Sequence, residues 1–342
     1  MQAVRLMERG RGGVRVVDIP EPERPQGFVL LRMIAASVNR VDLYMRDSGA
    51  GISHSLPQTM GVDGIGEVLE CDADSHFRKG ERAIIYPYVF CGSCRHCLAG
   101  EQPLCLRASI FGEHRDGTFA QYLAVPQTSL LPLAATADIY AAAALGVAYL
   151  TAWRMVFGKA PVHPGATVLV QGAAGGVSYA AIQLALMAGA RVIATTGGEA
   201  KSAHFRSLGI EVVDYRSENV VKAVAALTGG EGADVVIDNS GEASWSQSLR
   251  SLRRGGHLVT CGATTGGHPS AEIQRLFVRQ LSVHGSTLGS VEELRRLLAA
   301  FQTGALTPRI DSVFPLDRIE DALARLEHPD RIGKVVVDIA GD

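Results

Sequence analysis

Between residues 167 and 189 the spacing of apolar positions changes period. Residues 167–171 form a short, nearly continuous apolar run of β-prone residues that breaks at Gly172-Ala-Ala-Gly-Gly176. Beyond Gly176, Val177, Ala181, Leu184, Ala185 and Ala188 recur at helical spacing until Gly189 stops them. The pattern predicts a buried strand, a tight glycine turn and a helix. Such a turn leaves backbone N–H groups unpaired at the positive end of the helix dipole, where a pyrophosphate is stabilised. Ser178 stands where a dinucleotide fingerprint has its third glycine, and similar turns occur in proteins that bind no nucleotide.

Comparable apolar runs recur at 191–195, 211–213, 234–238, 257–261 and 281–284, with helical patterns between most of them. Six strands alternating with helices make an α/β fold with a doubly wound parallel sheet the expected architecture. The front of the chain is patterned differently. Residues 2–6 and 14–18 alternate, a stiff loop follows at Pro20, Pro22 and Pro25, and 28–36 reads as a long strand. Segment 36–49 predicts a short helix with Asn39, Asp42 and Tyr44 as its chemically usable groups. Three glycines open an alternating strand over 61–68, and 79–86 is a turn and a strand. Glu113 and His114 fall on a polar turn before a strand near 125, which reads as a solvated loop, with reach into a site as the alternative. Residues 138–158 read as one Ala-rich helix, and 290–303 as an amphipathic helix with Leu294, Leu297, Leu298 and Phe301 on one face. A strand at 310–314, a helix at 317–326 and a strand at 333–339 end the chain.

Composition narrows the class. A chain of 342 residues exceeds one ordinary core, and 47% hydrophobic with 20% charged residues describes a globular protein. The net charge of −2 gives no electrostatic reason for nucleic acid or an anionic membrane as partner. The first residues lack the apolar stretch of a secretory signal, and the apolar segment 139–153 is shorter than the roughly 20 residues of a membrane span. A cytoplasmic location is the default expectation.

Four of the six cysteines are crowded as Cys91-x2-Cys94-x2-Cys97-x7-Cys105. Four thiolates on one loop close a tetrahedral shell around Zn²⁺ with no position left for water, so the expected site is structural. An iron–sulfur cluster and unligated thiols are the competing readings, the former weakened because Leu106, not proline, follows Cys105.

A β-rich start, a four-cysteine lobe near residue 100, a glycine turn near 172 and a C-terminal β return together resemble the medium-chain dehydrogenase/reductase superfamily of zinc-type alcohol dehydrogenases and quinone oxidoreductases. The resemblance covers nearly the whole chain. It implies a GroES-like catalytic domain from residues 1–148 and 286–342, a Rossmann cofactor domain over 149–285, and an active-site cleft between them. At the family's catalytic-metal positions this chain has Asn39 in place of a cysteine, Gly61-Val62-Asp63 in place of Gly-His-Glu, and no acid or cysteine near Leu145-Gly146-Val147. Without a metal Lewis acid, the acceptor must already be electrophilic. Quinones, enones, enals and enoyl thioesters meet that condition. Asn39, Asp42 and Tyr44 match polar groups that line the pocket of quinone oxidoreductases, with Tyr44 as first candidate for donating to the reduced acceptor and water as its rival.

For the cofactor, the second strand ends at Thr195-Thr196-Gly197-Gly198 without an acid for a ribose 2′-hydroxyl, and Lys201 in the first helical turn supplies a positive charge suited to a 2′-phosphate; Tyr215-Arg216 resembles the pair that borders the adenosine phosphate in NADPH-dependent relatives. NADPH is expected over NADH. The resemblance places Thr151 behind the nicotinamide and Ala174, Gly175, Gly176, Val177, Asn239, Cys261, Gly262 and Ala263 around the cofactor, with Cys261 serving as a small apolar residue. It also implies a homodimer paired through the last strand of the sheet, a tetramer being left open. Two alternatives remain: an alcohol dehydrogenase with an atypical metal held by Asp63, His54 or His114, and an NADPH-binding protein without turnover.

Overall fold

The strand Thr167–Val170 lies inside a six-stranded parallel sheet, between Arg191–Thr196 and Ala233–Asp238. This position explains its unbroken apolar run, since both faces are covered and Val168, Leu169 and Val170 are fully buried. The computed structural model describes residues 1–49 and 54–341. It divides into two units, Met1–Leu150 with Gly289–Asp342, and Thr151–Leu288.

In the second unit the sheet order is Glu211–Asp214, Arg191–Thr196, Thr167–Val170, Ala233–Asp238, Leu252–Thr260, Ser282–Gly285. Numbered along the chain this is 3-2-1-4-5-6, the doubly wound order whose switch point falls beside the first strand. The helices Gly176–Met187, Glu199–Ser207, Val220–Leu227, Glu242–Ser251 and Ile273–Arg279 make the connections. Leu169, Ile193, Val213, Val236, Leu249 and Leu258 share one core. The fifth strand begins at Leu252, earlier than its apolar run, because the preceding helix passes straight into it and Leu252 pairs with Ala233 ahead of a register shift.

The first unit is built on an antiparallel sheet around the long strand Phe28–Val38, with Asp63–Glu70 on one side and Lys334–Asp338 on the other. Val335 pairs with Val38 and Val337 with Ala36, so the chain's end completes a sheet begun near its start. Leu31, Met33, Val68, Phe77, Phe119 and Val335 belong to its core. The helix Val291–Gln302 opens with a capping box between Ser290 and Glu293 and buries Leu294, Leu297, Leu298 and Phe301, each contributing about 1.5–3 kcal/mol.

The segment expected as one helix over 138–158 is instead interrupted. Helical turns Ile139–Ala143 and Leu150–Trp153 alternate with wide π turns at Leu145–Tyr149 and Arg154–Lys159. At the first of these the Val147 N–H donates to Asp63 Oδ2 at 2.8 Å, and a helix that gives up an N–H to a side chain has to widen locally.

Candidate functional site

Gly172 to Val177 behaves as the glycine pattern implies. Gly175 N–H closes the turn on Gly172 O at 3.0 Å, and Gly176 and Val177 begin the helix, half-exposed, with no backbone acceptor for their own N–H groups. Ala174 is buried beside them. Ser178, in the third-glycine position, is also fully buried, its hydroxyl donating to Gln171 O at 2.7 Å and lying 3.3 Å from Asn239 Oδ1. The substitution thereby ties the turn to the end of the fourth strand. Asn239, Cys261, Gly262 and Ala263 follow the fourth and fifth strands at the carboxyl edge, where Gly262 packs on the Asn239 carbonyl. Burial, then the nearby Asp238, pushes the Cys261 thiol up to about 12, so it is protonated at neutral pH and unsuited to nucleophilic work. Thr151 is buried in the turn Leu150–Trp153.

Thr196 ends the second strand, and Gly197 is covered by the third strand's successor residues. A Cβ at Gly197 would collide with the Tyr215 hydroxyl and stand 3.1 Å from Arg216 Nε, and one at Gly198 would meet Arg216 at 3.4 Å. Arg216 thus lies over this tip, with Lys201 in the first turns of Glu199–Ser207. Sequence reasoning missed Asp214 here. Its carboxylate accepts from Gly198 N at 3.1 Å and Arg216 N at 2.9 Å, and these N–H groups hold it below the usual carboxylate range. The acid absent from the second strand's tip is supplied by the third strand.

In the first unit Asn39 and Asp42 are brought together by the helix Arg40–Asp47, which they cap reciprocally: Asn39 receives the Asp42 backbone N–H while Asp42 Oδ2 accepts from Asn39 N at 2.7 Å. Neither projects into solvent, being 4% and 1% exposed. Asn39 Nδ2 donates to Asp63 Oδ1 and to Ser37 O, both at 2.9 Å, while its Oδ1 accepts from Lys334 Nζ, which also donates to Val38 O at 2.8 Å. Asp63 further accepts from Ser37 Oγ at 2.7 Å and from Val147 N. Burial raises Asp42 to about 7, raises Asp63 and lowers Lys334 to about 8, against the mutual attraction of the charges. Tyr44, on the same helix, is half-buried, and its hydroxyl has no protein partner among the described residues. Lys334 was missed. Its signal was a lysine opening the otherwise apolar run Lys334-Val-Val-Val.

Glu113 corrects the solvated-loop expectation. It is 8% exposed, and burial raises its carboxyl to about 7. Its loop is stapled to Gly61, since Gly112 leaves no room for a side chain against Gly61, and Thr118 N donates to Gly61 O at 3.0 Å. Gly61 itself has φ +94°, and a Cβ there would approach Thr118 Oγ1 to 2.5 Å, so glycine is required. His114 is exposed, and its Nδ1 accepts from Ile110 N.

The four lobe cysteines fit a metal. Their sulfurs all lie within 4.8 Å of one another, with separations of 3.5, 3.6 and 3.8 Å, against the Sγ···Sγ edge of about 3.8 Å that a zinc tetrahedron with 2.3 Å bonds requires. Backbone N–H groups of Ser93 and Cys94 draw the Cys91 thiol down to about 5, favouring the thiolate a metal binds. Among the described residues this is the one convergence of three or more His, Cys, Asp or Glu donors. His54 and His114 have rings 6.1 Å apart, but with Asp63 they form no such group.

A doubly wound sheet carrying a pyrophosphate-type turn, coupled in one chain to a β-rich unit with a cysteine metal lobe, defines an NAD(P)-dependent oxidoreductase. The chain belongs to the zinc-type alcohol dehydrogenase and quinone oxidoreductase family. The alcohol dehydrogenase GroES-like domain matches residues 25–135 and the zinc-binding dehydrogenase domain residues 176–303. Human quinone oxidoreductase is 30% identical over 339 residues, covering 96% of this chain and 94% of that protein. An NAD-dependent alcohol dehydrogenase of Sulfurisphaera tokodaii is 29% identical over 348 residues, covering 98% and 99%. A crystal structure of an NAD-dependent alcohol dehydrogenase superposes with a TM-score of 0.94 at 38% identity, covering 99% of this chain and all of that one. Among the described residues no helix is long and apolar enough to cross a membrane.

Proposed function

We propose that the chain is an NADPH-dependent reductase of conjugated carbonyl acceptors, quinones, enones, enals or enoyl thioesters, that works without a catalytic metal. The observation that carries this reading is the closed network of Asn39, Asp63 and Lys334. The one oxygen that Asn39 could offer a metal is engaged by an ammonium, Val62 and Gly146 offer none, and Lys334 is a resident positive charge that disfavours a second cation. An acceptor polarised by conjugation needs hydride and a proton, and Tyr44 keeps a hydroxyl with which to orient its oxygen. The human quinone oxidoreductase supports this reading, while the alcohol dehydrogenases favour a metal-dependent one. Metal analysis and turnover distinguish them: one zinc per chain and NADPH oxidation by quinones or enones are expected, whereas two zincs with oxidation of simple alcohols would refute the reductase.

Arg216, Tyr215 and Lys201 around the tip of the second strand support NADPH. The second reading, NADH, is favoured by Asp214 and by the NAD-dependent relatives. Against it, the Asp214 carboxylate is tied to the Gly198 and Arg216 N–H groups, beside a guanidinium that suits a phosphate.

The same reading includes a homodimer. Ser282–Gly285 is an open sheet edge with Val283 exposed, and the preceding helix exposes Ile273, Phe277 and Val278 at 68%, 66% and 52%. A second copy would cover both. Sedimentation at micromolar concentration is expected to give twice the chain mass, and Phe277→Asp to give monomer.

A further inference from the structure

We propose that Asp238, Ser248, Gln171 and Thr195 are positioning residues for the cofactor, a buried relay of hydrogen bonds that fixes the glycine turn from within the protein. This rests on the turn being where the pyrophosphate binds, and on neither the choice of acceptor nor that of NADPH over NADH. All four belong to the second unit and are enclosed, with exposures of 0%, 0%, 3% and 1%. Asp238, which ends the fourth strand, has no cationic partner among the described residues. Its oxygens instead accept from Ser240 N at 2.8 Å, Gly241 N at 3.3 Å, Ser244 Oγ at 2.7 Å and Ser248 Oγ at 2.7 Å. A carboxylate can only accept, so the Ser248 hydroxyl must give it its proton.

That obligation passes along the row in one direction. With its proton spent, the Ser248 oxygen receives Gln171 Nε2 at 3.0 Å. The Gln171 amide is thereby oriented, and its Oε1 accepts the Thr195 hydroxyl at 2.8 Å. Thr195 Oγ1 in turn accepts the Gly172 N–H at 3.0 Å. Because the row starts on a group that only accepts and ends on one that only donates, no member can reverse, and successive bonds polarise one another. It joins residues at the carboxyl ends of the fourth, first and second strands. The Gly172 N–H is drawn inward while its φ is +62°, a conformation that glycine takes without strain. Ala173 N–H is spent on Thr195 O and Gly175 N–H on Gly172 O. Gly176 and Val177 are then the residues whose N–H groups remain to meet an anion at the start of the helix. Ser248 stands three hydrogen bonds away from Gly172, so an effect of Ser248 on the turn has to travel through the relay.

The test measures NADPH and NADH affinity by fluorescence titration, kcat at saturating cofactor, and the Gly172 amide proton resonance in wild type, Thr195→Val, Thr195→Ser, Ser248→Ala and the T195V/S248A double variant. The pyrophosphate is common to both cofactors, so T195V is expected to raise both dissociation constants about tenfold while kcat changes less than about twofold. T195S keeps the hydroxyl and should restore binding. S248A should weaken both cofactors about threefold and move the Gly172 resonance upfield, in the same direction as T195V. The double variant should bind no more weakly than T195V alone, since the row is already broken there. If T195V binds as wild type, T195S fails to restore binding, S248A leaves either the affinity or the resonance at its wild-type value, or the double variant shows the sum of both losses, the four residues are packing and not a positioning relay, and the cofactor reading stands. If wild type binds neither NADPH nor NADH, the reading of the turn falls and the relay's role falls with it.

Discussion

Two polar clusters in the first unit face opposite electrostatic problems. In the lobe, four sulfurs converge with Arg107 beside Cys91, and ionising all four thiols together calls for the charge of a metal. Around Asp63 the chain provides its own cation, Lys334, together with donors from Ser37, Asn39 and Val147 N, and the cluster closes on itself. A metal completes the first cluster and would have to displace an ammonium from the second. Donor residues alone therefore do not define a metal site; the charge left unbalanced among them does.

The strongest challenge to this comparison is removal of a lobe ligand. Cys97→Ser should lose the bound zinc and destabilise the lobe by several kcal/mol, measured by elemental analysis and thermal unfolding; full stability without zinc would place the lobe with the closed cluster. Next, Lys334→Met should cost about 3–5 kcal/mol in urea denaturation, because Asp63 is left as an unpaired buried carboxylate. Adding Asp63→Asn should recover part of that loss, and an additive double mutant would mean the two do not interact.

A smaller effect belongs to Glu113, the carboxyl with neither metal nor ammonium. Burial holds its folded pKa at about 7, above the 4.5 of an ordinary glutamate, so the fold binds the proton more tightly than the unfolded chain. That preference supports the fold fully below about 4.5 and is lost as pH rises toward 7. E113Q should match wild type in stability at pH 4 and exceed it by up to about 3 kcal/mol at pH 8, read from urea midpoints. The smallest effect is expected in the second unit. Arg216→Ala should raise the KM for NADPH about tenfold, or about 1.4 kcal/mol, and leave that for NADH nearly unchanged. An equal change for both cofactors would remove the case for a 2′-phosphate at that tip.

The residues read from sequence differ in how completely they could be placed. The glycine turn and the cysteine lobe were legible because each is a local device, with ligand spacing or backbone freedom written into consecutive residues. Tyr44, Asn39 and Asp42 were legible as a group. Their division into a free hydroxyl and two spent polar side chains was not, because it depends on Asp63 and Lys334, 24 and 295 residues away from Asn39. The break at Leu145–Tyr149 was hidden for the same reason: an Ala-rich run promises a regular helix, and only the distant Asp63 carboxylate takes the Val147 N–H from it.

By itself the sequence determined the alternation of strands and helices and the four-thiol lobe, since these follow from periodicity and short-range spacing; the return of the chain's end to the β-rich unit was implied only by the family resemblance. Tertiary structure alone decided which buried charges are neutralised. The strand pairing of Lys334–Asp338 with Phe28–Val38 sets Lys334 against Asn39, while the packing of Gly112 on Gly61 encloses Glu113 without a counter-ion. The free energy of a charge depends on what surrounds it in space, and that is set by contacts between distant parts of the chain.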